Sequence, residues 1–415
     1  MKNTKNILVA ALAALSIGSA SAETIYVTGS TAFRGSANAA LSTMTGATVL
    51  AQDNATLGSA GNLNIRWVNG GVTNLVKVHW SGSEAGIQSI LKPSATFNYL
   101  PDSASGTVSS SIANDAHVGN IAFSDTYQST SIFNGTKAGD GFNYPTIASD
   151  TQVGVVAFTW IASKGFPGNN INAQIARNLL ANGFCSVALF TGNTANANDV
   201  AYLLGRNRDS GTRLTTLAEV GFGANSPVIQ FAVATNGIPS TNSTATLQGA
   251  TTTNSLISYP AEFINGVGAA QNNSGYSSGG TLCGFMTNYY APQPSFYVDG
   301  TVNSTPLGGV YTGNTYLIGY AGQADADAKV STGLIELSYN GVAPSQTAIE
   351  QGQYPFWGYE HCLKSPTASA TAGAFYTALC SKILSKTSSD LSPNVALGDM
   401  QVGRSTDGSV ITQNY

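Results

Sequence analysis

The sequence predicts an α/β protein on largely parallel sheets, divided into two lobes. Three observations carry this. Short β-type runs alternate with helical patterns through most of the chain. Several of those runs end in small, hydroxyl-rich turns that open a helix. The chain, at 415 residues, is also longer than the roughly 250 to 300 residues that one hydrophobic core usually serves.

The elements follow in order. Thr24 to Val27 predicts a strand, Gly29-Ser30-Thr31 a turn, and Ala32 to Met44 a helix. Val76 to Trp80 predicts a second strand, followed by Ser81-Gly82-Ser83 and a helix through Gln88. Gly119 to Phe123 is a strand ending at Ser124-Asp125, and Val153 to Ile161 is a long apolar strand. Asn172 to Ala181 reads as a helix, Val200 to Gly205 as a strand, 206–211 as a loop and Thr212 to Val220 as a helix. Residues 236–256 and 291–314 are polar and read as insertions. Ile335 to Tyr339 predicts a strand, Thr371 to Lys386 an amphipathic helix, and Val410-Ile411 a last short strand. No repeat at solenoid spacing is present.

The first 22 residues have the form of a signal peptide. Lys2 and Lys5 form a basic start, Ile7 to Ile17 is an apolar run too short to span a bilayer, and Ala20-Ser21-Ala22 is a small-residue cleavage site. The mature chain is expected to begin at Glu23. No cysteine stands near that site to carry a lipid, and no later stretch approaches the roughly 18 to 20 apolar residues of a membrane helix. A free periplasmic protein is expected. The formal charge of −4 becomes about −6 without the two leader lysines. Such a mild acidic balance argues against a nucleic-acid surface or a polybasic membrane patch.

Chemistry concentrates in three strand-to-helix turns: Gly29-Ser30-Thr31-Ala32-Phe33, Ser81-Gly82-Ser83-Glu84-Ala85-Gly86 and Asp209-Ser210-Gly211-Thr212. A helix start presents unpaired N–H groups and partial positive charge, which suits an anion. Hydroxyls add donors, and glycine admits close approach. In open α/β sheets ligands bind beyond the carboxyl ends of strands, where these turns lie. Each turn alone fits a simple helix cap. Arg206 and Arg208 flank the third turn, and an arginine can grip an oxyanion with two parallel hydrogen bonds; one of the two is expected to be exposed. Asp125 can accept the proton of a hydrogen phosphate and repel sulfate, which has none to offer; an N-cap is its plainer role.

These segments resemble, in order, the motifs of the phosphate-specific substrate-binding proteins of ABC transporters, which have the two-lobed type II periplasmic binding protein fold. Thr28-Gly29-Ser30-Thr31-Ala32-Phe33, Ser81 to Ile87, Phe123-Ser124-Asp125 and Arg206-Asn207-Arg208-Asp209-Ser210-Gly211-Thr212 carry the resemblance. Gly275-Tyr276-Ser277-Ser278-Gly279-Gly280, Ile318-Gly319-Tyr320 and Gly352-Gln353-Tyr354-Pro355 continue it over most of the mature chain. The resemblance implies a phosphate-binding set of Thr31, Phe33, Ser83, Asp125, Arg206, Ser210, Gly211 and Thr212. It implies a discontinuous first lobe of 23–150 and 325–415, a second lobe of 151–324, a hinge, a monomer, and delivery of inorganic phosphate or a similar protonated oxyanion to an ABC transporter permease. It implies no catalytic residue, cofactor or metal, and therefore no enzyme. A secreted surface or structural module with weakened capture is the alternative.

Two charges depart from the family pattern. Glu84 stands where a small residue is usual, and Arg34 follows the first motif; either the two pair and leave the site unchanged, or they alter the ligand. With the implied lobes, Cys185–Cys283 and Cys362–Cys380 are the favoured disulfides, since each stays within one lobe and an exported chain favours oxidation; buried free thiols are the alternative. Other chemistries fit less well. Asp209-Ser210-Gly211-Thr212 matches an aspartic-protease motif but has no second copy to share a proton. Gly275-Tyr276-Ser277-Ser278-Gly279 matches a hydrolase elbow without a preceding strand, with only His361 as a base late enough in the chain. His79, His117 and His361 lack the short spacing of metal ligands, and His79 reads as structural.

Overall fold

Two sheets share one long strand. The computed structural model describes residues 22–235, 275–287 and 313–414, with short strand segments at 238–239, 255–258, 298–299, 301–302 and 305–306. The expected signal peptide, save Ala22, and most of the two polar insertions lie outside the described residues.

The main elements of the first sheet are β1 (Thr24–Gly29), α1 (Arg34–Ser42), β2 (Ala47–Gln52), β3 (Asn62–Asn69), β4 (Val72–His79), α2 (Ser83–Leu91) and β5 (Ile121–Ser124). The shared strand is β6 (Ser149–Ala162), followed by α3 (Ala173–Asn182). The second sheet adds β7 (Val200–Leu204), α4 (Gly211–Glu219), β8 (Phe231–Thr235), α5 (Gly279–Thr287), β9 (Thr315–Gly322), α6 (Gln323–Val330) and β10 (Ile335–Tyr339). The chain returns to the first sheet with β11 (Trp357–Lys364) and α7 (Ala370–Leu384).

In the first sheet β1 runs parallel to both β4 and β5. In the second, β7 runs parallel to β9 along five residue pairs. The predicted α/β fold with parallel sheet cores and two lobes is therefore present, with antiparallel strands at the flanks. The handover inside β6 is abrupt. Ala157 pairs with Trp357 of β11, and the next residue, Phe158, pairs with Gly322 of β9. Val153 through Ala162 are all buried, as expected of a strand covered on both faces. Trp160 and Phe356 pack together where the sheets meet, at 6.0 Å between ring centroids.

Boundaries differ from the sequence reading where turn geometry intervenes. The first helix begins at Arg34 and ends at Ser42, two residues inside the predicted span at each end. The third-turn helix begins at Gly211, because the Ser210 hydroxyl accepts the backbone N–H of Arg213 and caps it. The last short strand is Thr412–Gln413, paired with 402–403; Val410 is 82% exposed and lies outside it. The cysteines correct the expected Cys185–Cys283 disulfide and show no bond formed between Cys362 and Cys380. All four are free and buried. Cys185 packs in the core cluster centred on β6, while Cys283 packs in a separate cluster on α5, so that pairing has no geometric basis. The Cys362 thiol meets that of Cys380, and burial followed by that contact raises its pKa well above the ordinary thiol range. No described helix is long and apolar enough to cross a membrane.

Candidate functional site

The three turns meet where the two sheets face one another. β1, α2 and β5 deliver the first two turns and Asp125, and β7 and α4 deliver the third. Gly82 has φ +105°, and a Cβ there would stand 2.5 Å from the Asp209 carbonyl across the interface. That carbonyl accepts the backbone N–H of Glu84 at 3.1 Å. Glycine is therefore required at 82 both by conformation and by proximity.

Arg206 is 1% exposed, so burial lowers its pKa, while Asp325 and Asp125 pull it back up. Its Nε donates to the Tyr276 carbonyl at 3.1 Å, and its Nη2 to the Ser277 carbonyl at 3.0 Å and the Thr31 hydroxyl at 3.3 Å. The segment leading into α5 thus anchors the guanidinium, which spans from the second sheet to the first turn of the first. Nη1 is buried and has no hydrogen-bond partner among the described residues. Arg208 is about a quarter exposed and lies 3.7 Å from Asp209. Of the two candidate arginines, the structure buries Arg206 fully and Arg208 partly, so neither is the exposed arginine expected.

Asp125 is 1% exposed. It accepts hydrogen bonds from the Ser83 hydroxyl and, at 3.4 Å, the Thr212 hydroxyl. Burial raises its pKa; the Ser83 bond and the Arg206 charge oppose that rise. Gly211 lies against both Asp125 and Ser83, so a side chain there has no room. The structure therefore brings Thr31, Ser83, Asp125, Arg206, Gly211 and Thr212 together. Ser210 is used as the cap of α4. The Phe33 N–H reaches the Ser30 hydroxyl at 3.4 Å, while its ring lies fully buried.

Glu84 and Arg34 do not pair with each other, which removes the first of the two outcomes that the sequence left open. The Glu84 carboxylate accepts from the Thr126 hydroxyl at 3.0 Å and the Ser131 hydroxyl at 2.6 Å within the first lobe's interior. Arg34 lies 3.8 Å from Asp325. Burial raises Asp325, and Arg34 and Arg206 lower it. Asp325 thus stands between two cations beside the site, a residue that sequence reasoning missed although it follows the Ile318-Gly319-Tyr320 segment by five positions.

Burial also pushes Glu84 up to about 7 from 4.5, against the hydrogen bonds from Ser131 and Thr126. A raised folded-state value means that stability is full below the unfolded value and is lost as pH rises toward the folded one. Between pH 4.5 and 7 Glu84 should cost the protein about 3 kcal/mol. Urea unfolding of the wild type and Glu84→Gln at pH 5 and 7.5 checks this. The difference between the two should change by that amount, and parallel curves would refute it.

The other chemistries find no support in the geometry. His79 is bonded to Asn62 at 2.8 Å, and burial pushes its pKa down to about 4, as suits a structural residue. His117 pairs with Asp115 at 2.9 Å and His361 with Asp150 at 2.7 Å. Among the described residues no group of three His, Cys, Asp or Glu is placed to hold a metal. Ser278 caps α5 through the Thr281 N–H at 3.1 Å, so the hydrolase-like match is a helix start.

A two-lobed α/β fold with a buried arginine and a hydroxyl-ringed carboxyl between the lobes is the class defined here. Solved structures similar to the chain include a protein from Clostridium perfringens assigned as a phosphate ABC transporter substrate-binding protein, with phosphate bound. It is 12% identical over 89% of this chain and 96% of that one, with a TM-score of 0.44. An ABC-type phosphate transport receptor from Vibrio cholerae is 11% identical over 89% and 99%, at a TM-score of 0.43. A phosphate-binding protein from Stenotrophomonas maltophilia is 13% identical over 88% and 84%, at 0.39. No protein-family model and no curated protein matches the chain.

Proposed function

We propose that the chain is a periplasmic solute-binding protein that captures an oxyanion, inorganic phosphate above all, between its lobes for delivery to an ABC transporter permease. The observation that carries this reading is the Arg206 guanidinium, buried where the lobes meet, with Nη1 lacking a hydrogen-bond partner among the described residues. A buried cation with a spare donor is costly unless an anion completes it. Thr31, Ser83, Ser210, Gly211 and Thr212 supply hydroxyls and backbone N–H groups around it, with the Phe33 N–H beside them. Asp125 is the acceptor for the ligand's proton. The lobes divide as 23–150 with 325–415, and 151–324. The protein acts as a monomer, without a cofactor, and is exported by cleavage after Ala22.

The test is a calorimetric titration of the chain from Glu23, stripped of anion by reversible unfolding. At pH 7.5 phosphate should bind and sulfate should not. Asp125→Asn should admit sulfate, because an amide can donate where a carboxylate cannot. One observation favours the alternative, a surface module that has lost capture: Ser83 and Thr212 already donate to Asp125. A folded chain that binds neither anion would establish that alternative.

A further inference from the structure

Glu360 lies in the middle of β11 and is fully buried. It stands directly opposite Gly154 of β6. A Cβ at Gly154 would stand 3.2 Å from the Phe33 ring. Opposed residues of an antiparallel pair point to the same face, so Glu360 points at the underside of the first turn. The Ser30 hydroxyl is the side-chain hydrogen-bonding group that bears on it, although neither carboxyl oxygen closes a hydrogen bond among the described residues. The register also sets Glu360 beside Asp125, since the next residue, His361, pairs with Ser124.

The titratable neighbours on this face can be named from each packed element. The end of β5 contributes Asp125, whose charge bears on Glu360. β11 itself contributes Cys362, which feels the Glu360 charge. β6 opposes it with Gly154, and the first turn contributes the neutral Ser30. Burial, followed by the Asp125 charge, raises the Glu360 carboxyl well above the ordinary carboxylate range, against the Ser30 hydroxyl, which lowers it. None of these neighbours is a cation that would offset ionisation.

We propose that Glu360 is a proton-bearing positioning residue of the oxyanion site: as the neutral acid it offers its O–H to Ser30, which in turn receives the Phe33 N–H, and so holds the first turn in place. Its ionisation would set a second negative charge beside Asp125 and withdraw the donor from the turn. Capture of an anion is then coupled to retention of one proton on Glu360. This rests on the oxyanion reading above and adds a proton requirement to it.

The experiment follows phosphate affinity from pH 5 to 10 in the wild type and Glu360→Gln and takes the ratio of the two, which removes the ligand's own protonation. The amide keeps a donor for Ser30 and cannot ionise. Relative to Glu360→Gln, the wild type should lose affinity as pH rises through the ionisation of Glu360, toward tenfold per pH unit beyond it. Parallel profiles would overturn the inference while leaving phosphate binding intact. If neither protein binds phosphate, the oxyanion reading fails by itself, and thermal unfolding from pH 5 to 10 decides the remaining claim. The wild type should then lose melting temperature with rising pH relative to Glu360→Gln, and coincident profiles would overturn the proton-bearing role.

Discussion

Gly211→Ala should leave a folded protein that cannot close and that has lost phosphate affinity by at least about a hundredfold, as expected when overpacking costs some 3 kcal/mol. The reason is local. Gly211 is the first residue of α4, where alanine is a favourable helix former. Its φ is not in the left-handed region, so the backbone tolerates a side chain. The obstacle lies across the interface. The added Cβ would fall inside the van der Waals radius of an Asp125 carboxyl oxygen and 2.7 Å from the Ser83 side chain. Asp125 is held by the Ser83 and Thr212 hydroxyls, and its backbone carbonyl lies close to Gly358 of β11, so shifting it would break those bonds. The clash exists only when the lobes meet, and separating them relieves it. Small-angle scattering should therefore show a larger radius for Gly211→Ala, with a melting temperature close to that of the wild type. Unchanged phosphate affinity in a variant with wild-type dimensions would refute the close approach.

Arg206→Ala should be the most damaging single change at the site. Removing one member of a buried ionic network costs about 3 to 5 kcal/mol, because the remaining charges lose their partner. Here Asp125 and Asp325 both lose the cation that lowers them, and Arg34 is left as the partner of Asp325. The carbonyls of Tyr276 and Ser277 also lose their donor, loosening the entry into α5. Phosphate affinity should fall by about a thousandfold or more, the scale of such a loss. Arg206→Lys should fall between the two, since it keeps the charge but has no planar fork to reach Thr31 and the carbonyls together. Urea unfolding and calorimetry on the three proteins check both effects. A phosphate affinity for Arg206→Ala within threefold of the wild type would remove Arg206 from the binding set.

Much of this site was legible because its parts are short and local. Arg206 to Thr212 is one contiguous run whose hydroxyls, glycine and arginine belong to a single strand-to-helix turn. Thr31, Ser83 and Asp125 each end or follow a recognisable apolar strand. Asp325 and Glu360 were not legible in the same way. Asp325 joins the site because α6 starts where β9 ends, beside the Gly279 start of α5. Glu360 had one visible signal, a lone acid inside the run Trp357 to Leu363. What that acid faces depends on the register of β11 against β6, two strands nearly two hundred residues apart in sequence.

The amino-acid sequence by itself determined the alternation of strands and helices and the three turns, because periodicity, turn residues and helix caps act over a few neighbouring positions. The tertiary structure decided which charges are buried and with whom. It buried Arg206 fully and Arg208 partly, gave Arg34 to Asp325 rather than to Glu84, and put Cys185 and Cys283 in separate clusters. Desolvation and charge pairing depend on distance in space, and chains of equal local pattern can satisfy them in different ways.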